Sequence, residues 1–347
     1  MQLNQRAYAL LEKYSDGLAQ AYGQTRTDRY FSLTDPKETQ MRDAMLEDST
    51  FLNLVTWLDV DQLQGQVVNV GNPGLFTGRK EGGRFIRPTG VDGLEYKLVE
   101  TDSGAALPWS LLSVWANAGS EEEFFQRMQA FTNEAFVLDM LRIGFNGTSV
   151  AKSTDPIANP NGEDQNIGWH KFVQNYDANQ IITTPMTLGE GGDYASLDSV
   201  ASDLINEKIP AQHRNDPRLT VLVGADLVAA EQHRLYQAAD RPTEKIAAQM
   251  LGTSIAGRPA MVPPFMPGKR IVVTIVSNLH IYTQRGTRQR KAEFVEDRKQ
   301  FENKYLRNEG YAVEVPQLYA AFDESAVTIG KVKPPVDPKP GQQGKGG

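Results

Sequence analysis

The chain has 347 residues, 40% apolar and 23% charged, with 36 basic against 43 acidic side chains and a formal net charge of −7. That length carries two or three packed units with a sizeable core. The acidic balance argues against a free-standing nucleic-acid binder, whose affinity would rest on clustered Lys and Arg. No cysteine is present, which excludes disulfides, thiolate metal sites and a cysteine nucleophile. No segment approaches ~18–20 uninterrupted apolar residues, so no membrane span is expected. Arg6, Glu12, Lys13 and Asp16 interrupt the stretch where a secretory signal would need its apolar region, and a cytoplasmic protein is expected.

Ala7, Leu10, Leu11, Tyr14, Leu18 and Ala21 recur at helical spacing and predict an amphipathic helix over 4–22. Alone it is marginal in water, so it needs a surface: it is either a packed N-terminal arm or a removable segment that engages an assembly partner. A second helical pattern opens at Pro36 and Glu38, with Met41, Met45 and Leu46 on one face, and gives way near Phe51 to strand-like FLNLVTWLDV. From Asp61 to Leu107, glycines punctuate short β-prone pieces such as QVVNV and EYKLVE. A stretch this long is uncommon unless it is functional or itself structured. It reads as an extended two-stranded hairpin with a basic tip of Arg79, Lys80, Arg84 and Arg87. An isolated hairpin is barely stable in water, so the arm is expected to lie on something else, such as a neighbouring subunit; the competing reading is a disordered loop.

The clearest helix follows. Ser120 and Glu123 match a capping box, with Glu121 and Glu122 at the positive end of the helix dipole. Phe124, Met128, Phe131, Ala135 and Leu138 form one stripe, Phe125, Phe136, Met140 and Leu141 widen it, and Gly144 is the expected stop. About 24 residues at ~1.5 Å each make a rod of roughly 36 Å. Its apolar face is broad enough to pack on two sides, and Phe131→Asp is expected to abolish folding. After 193 the pattern alternates: a helix capped by Asp193 with Leu197, Val200, Leu204 and Ile205 inside, a strand at 218–224, a helix in ADLVAAEQHRLYQ, and two strands in KRIVVTIVSNLHIYTQ joined at Ser277-Asn278. Helices on a mixed sheet are the natural architecture. Residues 331–347 lack the apolar content to order and read as a tail.

Catalytic chemistry is scarce. His170, His213, His233 and His280 show no metal-ligand spacing, and no phosphate loop or serine-hydrolase elbow is present. Asp59 and Asp61 share one side of a strand, but nothing nearby supplies burial or a nucleophile, so solvated edge charges are expected. Trp57, Trp109, Trp115 and Trp169 are too separated for a ligand cage and read as core or interface anchors. Neither cofactor nor metal is expected, and no enzyme. The run from Arg285 to Arg307 mixes both signs: as a nucleic-acid contact it has interleaved Phe294, Phe301 and Tyr305 but four acids that nearly halve its charge, whereas alternating charges suit pairing and register between subunits, the reading preferred. Arg285, Arg288, Arg290, Glu293 and Glu296 join the basic tip as candidate inter-subunit residues.

Two long ordered segments carry a family resemblance: IGFNGTSVAKSTDPIANPNGEDQNIGWHK at 143–171 and GEGGDYASLD at 189–198, supported by DPRLTVLVGADL. The chain resembles the major capsid proteins of P2-like tailed phages from about Thr34 to Gly330, and least in residues 1–33. The resemblance implies an α+β HK97-like capsid fold. Its parts would be an N-terminal arm at 1–60, an extended loop (E-loop) at 61–118, and a peripheral domain at 119–190 led by a spine helix at 120–143. An axial α/β domain at 191–268, return strands at 269–330 and the tail would follow. It implies hexamers and pentamers closing an icosahedral head around double-stranded DNA. The implied partners are a scaffolding protein with protease activity, a portal at one vertex and, in some shells, a decoration protein. Some relatives of the fold lock loops by Lys–Asn isopeptide bonds; Lys80 sits in the right loop without an identifiable partner, so a non-covalent shell is expected. The rivals are an encapsulin-like nanocompartment shell, a hydrolase with an unrecognised site, and a monomeric nucleic-acid binder.

Overall fold

A computed structural model of the chain describes residues 3–47, 49–67, 77–84, 94–238 and 253–330. The N-terminal helix α1 (Gln5–Ala21) is capped by Asn4, whose side chain accepts from the Ala7 amide. A short β1 (Phe31–Ser32) precedes α2 (Asp35–Glu47), and β2 (Thr56–Val60) and β3 (Gln64–Gln66) complete the first segment. The chain resumes with β4 (Glu95–Lys97), β5 (Val99–Pro108) and α3 (Trp109–Ala118). Then come α4 (Glu121–Asn146), α5 (Trp169–Tyr176), β6 (Ile181–Ile182), β7 (Met186–Leu188) and α6 (Leu197–Glu207). A β8–α7–β10 unit follows, with β8 (Leu219–Val223), α7 (Ala225–Ala238), the short β9 (Ser254–Ile255) and β10 (Arg258–Met261). Six further strands follow: β11 (Ile271–Ile275), β12 (Leu279–Gln284), β13 (Gln289–Val295), β14 (Gln300–Val313), β15 (Tyr319–Phe322) and β16 (Val327–Ile329), which pairs with β7.

Two six-stranded sheets organise these elements. In the first, β14 is the long central strand. Antiparallel β13 covers its residues 300–306 along one edge, β12 takes over at 309–313, and β5 runs along the other edge from 300 to 309. Parallel β2 extends this sheet beyond β12, and β1 beyond β13. The second sheet has the order β6-β15-β11-β8-β10-β9. Parallel β8 and β10 are joined across α7, as a crossover connection requires. The strands β11 and β12, separated by three residues of 3₁₀ turn, lie in different sheets, so the chain changes unit at Val276–Asn278.

The second sheet is buried on both faces, which explains its unbroken apolar strands. Alternation with period two sends Leu222, Val272, Tyr319 and Ala321 into the core shared with α4 and α5. The intervening Val221, Val223, Ile271, Val273, Ala320 and Phe322 face α6 and α7. A third cluster forms where α1 lays Ala7, Leu10, Leu11, Tyr14 and Leu18 against Leu112, Ala116, Phe124, Met128 and Phe301. The N-terminal helix is thus packed on its own subunit.

Several expectations are corrected. The region 61–118 is not all projecting arm: β5 makes ten antiparallel pairs with β14, and α3 packs against α1, so 99–118 belong to the body. Helix α4 continues past Gly144 to Asn146, with Gly147 as its C-cap. Gly144 has a different task, because a Cβ there would sit 2.5 Å from the Trp169 ring. Phe131 lies on the outer side at 36% exposure, edge-on to Trp115, and the buried stripe runs instead through Met128, Thr132, Phe136 and Met140. A charge at Phe131 therefore meets solvent rather than core. Asp193 does not cap α6; its carboxylate accepts from the Thr187 amide, and Ser196 forms the capping box with Ser199.

Candidate assembly surfaces

The root of the polar segment after α4 is built by glycines. A side chain on Gly147 would meet the Asn166 carbonyl at 2.3 Å, and one on Gly168 the Ile143 carbonyl at 2.5 Å. Without them the chain can cross back tightly over the last turn of α4 and seat Trp169 in the core, its indole donating to the His280 carbonyl at 3.0 Å. Between these glycines a loop projects. The Thr148 and Ala151 amides donate to the Glu163 and Asp164 carbonyls, Asp164 Oδ2 accepts from the Asp155 amide, and Asp155 Oδ1 accepts from the amides of Ile157 and Ala158. The loop is anchored to β14 by Asn166 Nδ2 donating to the Glu309 carbonyl. The polar residues of this segment are thus consumed in fixing one shape.

The arm is a two-stranded ladder at its root, where β3 pairs with β4 and Tyr96 stacks on Tyr282 at 4.4 Å between centroids. At its tip, Arg79, Lys80 and Arg84 are exposed, and among the described residues none has an ionic partner. Arg87 lies outside the described residues.

The mixed-charge run divides. Arg285 is exposed and 3.9 Å from Asp61, and Glu296 is exposed beside Tyr8, whose phenol is pushed up by Glu12 and then by Glu296. Glu293 binds Lys291 at 2.7 Å and Lys304 at 3.0 Å; burial raises its carboxyl, but the two lysines outweigh that and hold it low. Arg288 and Arg290 do not face outward. Alternation along the hairpin turns them inward, where they are 2% and 1% exposed. Arg288 pairs with both Glu38 of α2 and Asp59 of β2. Arg42 joins at 3.2 Å from Asp59, which also accepts from the Thr283 hydroxyl. Burial, outweighing Arg288, lifts Glu38 to about 7, whereas for Asp59 Arg288 and Arg42 overcome burial and lower the carboxyl. Asp59 is therefore a half-buried hub rather than a solvated edge charge. Arg290 donates to the Tyr22 hydroxyl at 2.8 Å and lies 5.5 Å from that ring's centroid. These two arginines clamp the N-terminal segment to the sheet; strand alternation was the available signal.

One His/carboxylate group, His170 with Asp323 and Glu324, is found among the described residues. Its atoms already have partners: His170 bonds the Tyr319 hydroxyl and Asp323, and Glu324 takes the Arg270 guanidinium at 2.7 and 2.8 Å. Arg270 also donates to the Phe145 carbonyl at the end of α4. With a guanidinium seated on Glu324, this group fastens α4 and α5 to the second sheet rather than forming a cation site.

Among the described residues, no other His/carboxylate group gathers. The model of the family described as "Phage major capsid protein, P2 family" matches residues 10–325. The capsid protein of Escherichia phage P2 is 26% identical over 299 residues, covering 81% of this chain and 83% of that one. The major capsid protein of Serratia phage KSP20 is 25% identical over 277 residues, covering 73% and 77%. Among solved structures, a chain of the satellite phage P4 procapsid that includes the size determination (Sid) protein superposes with a TM-score of 0.73 at 23% identity, covering 86% of this chain and 94% of that one. The fold is therefore the α+β HK97-like capsid fold. The chain belongs to the P2 family of phage major capsid proteins, a structural family of virion shell subunits and not of enzymes.

Proposed function

We propose that copies of this chain form hexamers and pentamers that close an icosahedral head around double-stranded DNA. What carries this reading within the molecule is the arm: a three-residue ladder with a charged, exposed tip has too little of its own to hold it, and gains free energy by lying on a neighbour. Many modest contacts of this kind, summed over each subunit's neighbours, give a stable shell. In this reading residues 1–60 act as the N-terminal arm, the E-loop drapes over the adjacent subunit, and the α6–α7 unit gathers near the ring axis. Assembly takes place in the host cytoplasm with a scaffolding protease, a portal occupies one vertex, and a decoration protein binds outside where one exists. Arg79, Lys80, Arg84, Arg87, Arg285 and Glu296 remain the proposed contact residues, with Glu293 at their edge. The encapsulin-like alternative has less support, since the matching family is that of phage capsids.

The test is co-expression of the chain with its scaffolding partner, followed by electron microscopy. Closed shells with six- and five-fold units are expected, and a solitary globule at every concentration overturns the reading. Deleting 72–90 should leave a folded subunit and block stable shells. Denaturing gels of mature particles should show one monomer band; a ladder would reveal covalent links between loops.

A further inference from the structure

A cavity of about 280 Å³ opens beside the root of the arm, between β4, α5 and the loop after α4. Its walls are mostly apolar, from Leu94, Val99, Val150, Ile167, Phe172 and Tyr176, with Asn166 and Asn175 among them and the exposed Glu95 and Lys97 also lining it. Two wall residues are themselves open to solvent, Val150 at 47% and Tyr176 at 39%. The same loop carries Ile157, which is 93% exposed and is not part of the cavity wall. A single exposed apolar side chain is ordinary on a protein surface. Ile157 differs in how it is held: Asp155 takes its amide and that of Ala158, Asp164 takes the Asp155 amide, and the Asn159 amide closes a turn on the Asp155 carbonyl. Four hydrogen bonds thus hold outward an apolar knob that its own subunit leaves almost wholly uncovered.

We propose that Ile157 of one copy seats in this cavity of a second copy. The inference rests on the shell reading above. The charges fit the occupant: the knob's flank carries exposed Lys152 and Asp155, and the cavity lining carries exposed Glu95 and Lys97. Lys152 therefore faces Glu95, and Lys97 faces Asp155, across the contact. Knob and socket are different patches, so the contact is head-to-tail and makes rings when the rotation closes. Because Ile157 and the socket residue Val150 lie on the same loop, the axis relating the two copies passes close to it. Burying one isoleucine is a modest gain, repeated at every subunit.

The chain has no native cysteine, which makes cross-linking a clean test. Ile157→Cys is combined with Val150→Cys or, separately, with Tyr176→Cys, and particles assembled with the scaffolding partner are treated with a short bismaleimide. A ladder of multiples on a denaturing gel is expected from at least one pair in particles, and none from free subunits. Particles without a ladder from either pair, a link within one subunit, or a ladder from Ile157→Cys alone would each overturn the proposal. If the wild-type chain makes no particles at all, the shell reading fails instead. As a second arm, Ile157→Asp should leave the subunit's melting temperature unchanged and lower particle yield at least tenfold, while Ile157→Leu keeps it. Lys152→Glu and Glu95→Lys should each lower yield and restore it when combined. Normal particle yield from Ile157→Asp would sink the proposal.

Discussion

The arm tip at 77–84 and the hairpin strand β13 are both rich in arginine and lysine, yet the structure uses them in opposite ways. On the tip, Arg79, Lys80 and Arg84 stand in solvent with no ionic partner among the described residues. On and beside β13, Arg288 and Arg290 are inside the subunit, holding Glu38, Asp59 and Tyr22. The same residue type is left for a neighbour in one region and consumed at home in the other. A charge run in a sequence is thus ambiguous until the strand period and the elements above it are known.

The sharpest way to break this comparison is to remove the buried cation. Arg288→Met strands Glu38 and Asp59 without their shared partner and should cost about 3–5 kcal/mol, measured by denaturant unfolding of the isolated subunit. A loss below 1 kcal/mol would mean the network is not an internal clamp. The same logic on α4 separates Phe136 from Phe131. Phe136→Ala, at a 3% exposed core position, should cost about 3–5 kcal/mol, while Phe131→Ala should cost less than about 1 kcal/mol in the free subunit. Equal losses would show that both faces of the helix are packed within one subunit.

Protonation divides the internal groups further. Burial holds His280 down to about 4, so the folded state binds fewer protons than an unfolded chain with the ordinary value near 6.5. Stability should therefore fall as pH drops from about 6.5 toward 4, by on the order of 2–3 kcal/mol. Glu38 acts with the opposite sign: its carboxyl is lifted to about 7, so its contribution is present below the unfolded value near 4.5 and is lost as pH rises through 7. Thermal melts across pH 4–8 should show a smaller acid-side fall in His280→Gln, since burial also holds His170 down, and a smaller neutral-side fall in Glu38→Gln. The smallest effect is expected at the tip. The triple change of Arg79, Lys80 and Arg84 to Ala should move subunit stability by no more than about 0.5 kcal/mol, yet reduce particle yield; a change confined to stability would reverse the contrast.

Much of the architecture was legible from local rules. The helical spacing at 4–22, the Ser120 cap, and the strands around 219–223, 271–275 and 279–284 correspond to α1, α4, β8, β11 and β12. What misled were residues whose role depends on a distant partner. Gly144 reads as a helix stop, but it is small because Trp169 packs on it. Phe131 reads as core because the apolar face of α4 is broader than its own subunit can cover. Arg288 reads as surface because Glu38 and Asp59 are 250 and 229 residues away in sequence.

By itself the sequence determined the elements, the absence of thiol chemistry and the ordered segments that mark the family, because helix and strand periods and short-range caps are local properties of the chain. Tertiary structure alone decided which charges turn inward, that the segment at 99–118 joins the body, and that the loop after α4 holds Ile157 outward and helps wall a cavity. Those outcomes depend on which distant strand or helix arrives opposite each side chain, and burial, pairing and desolvation are settled only there.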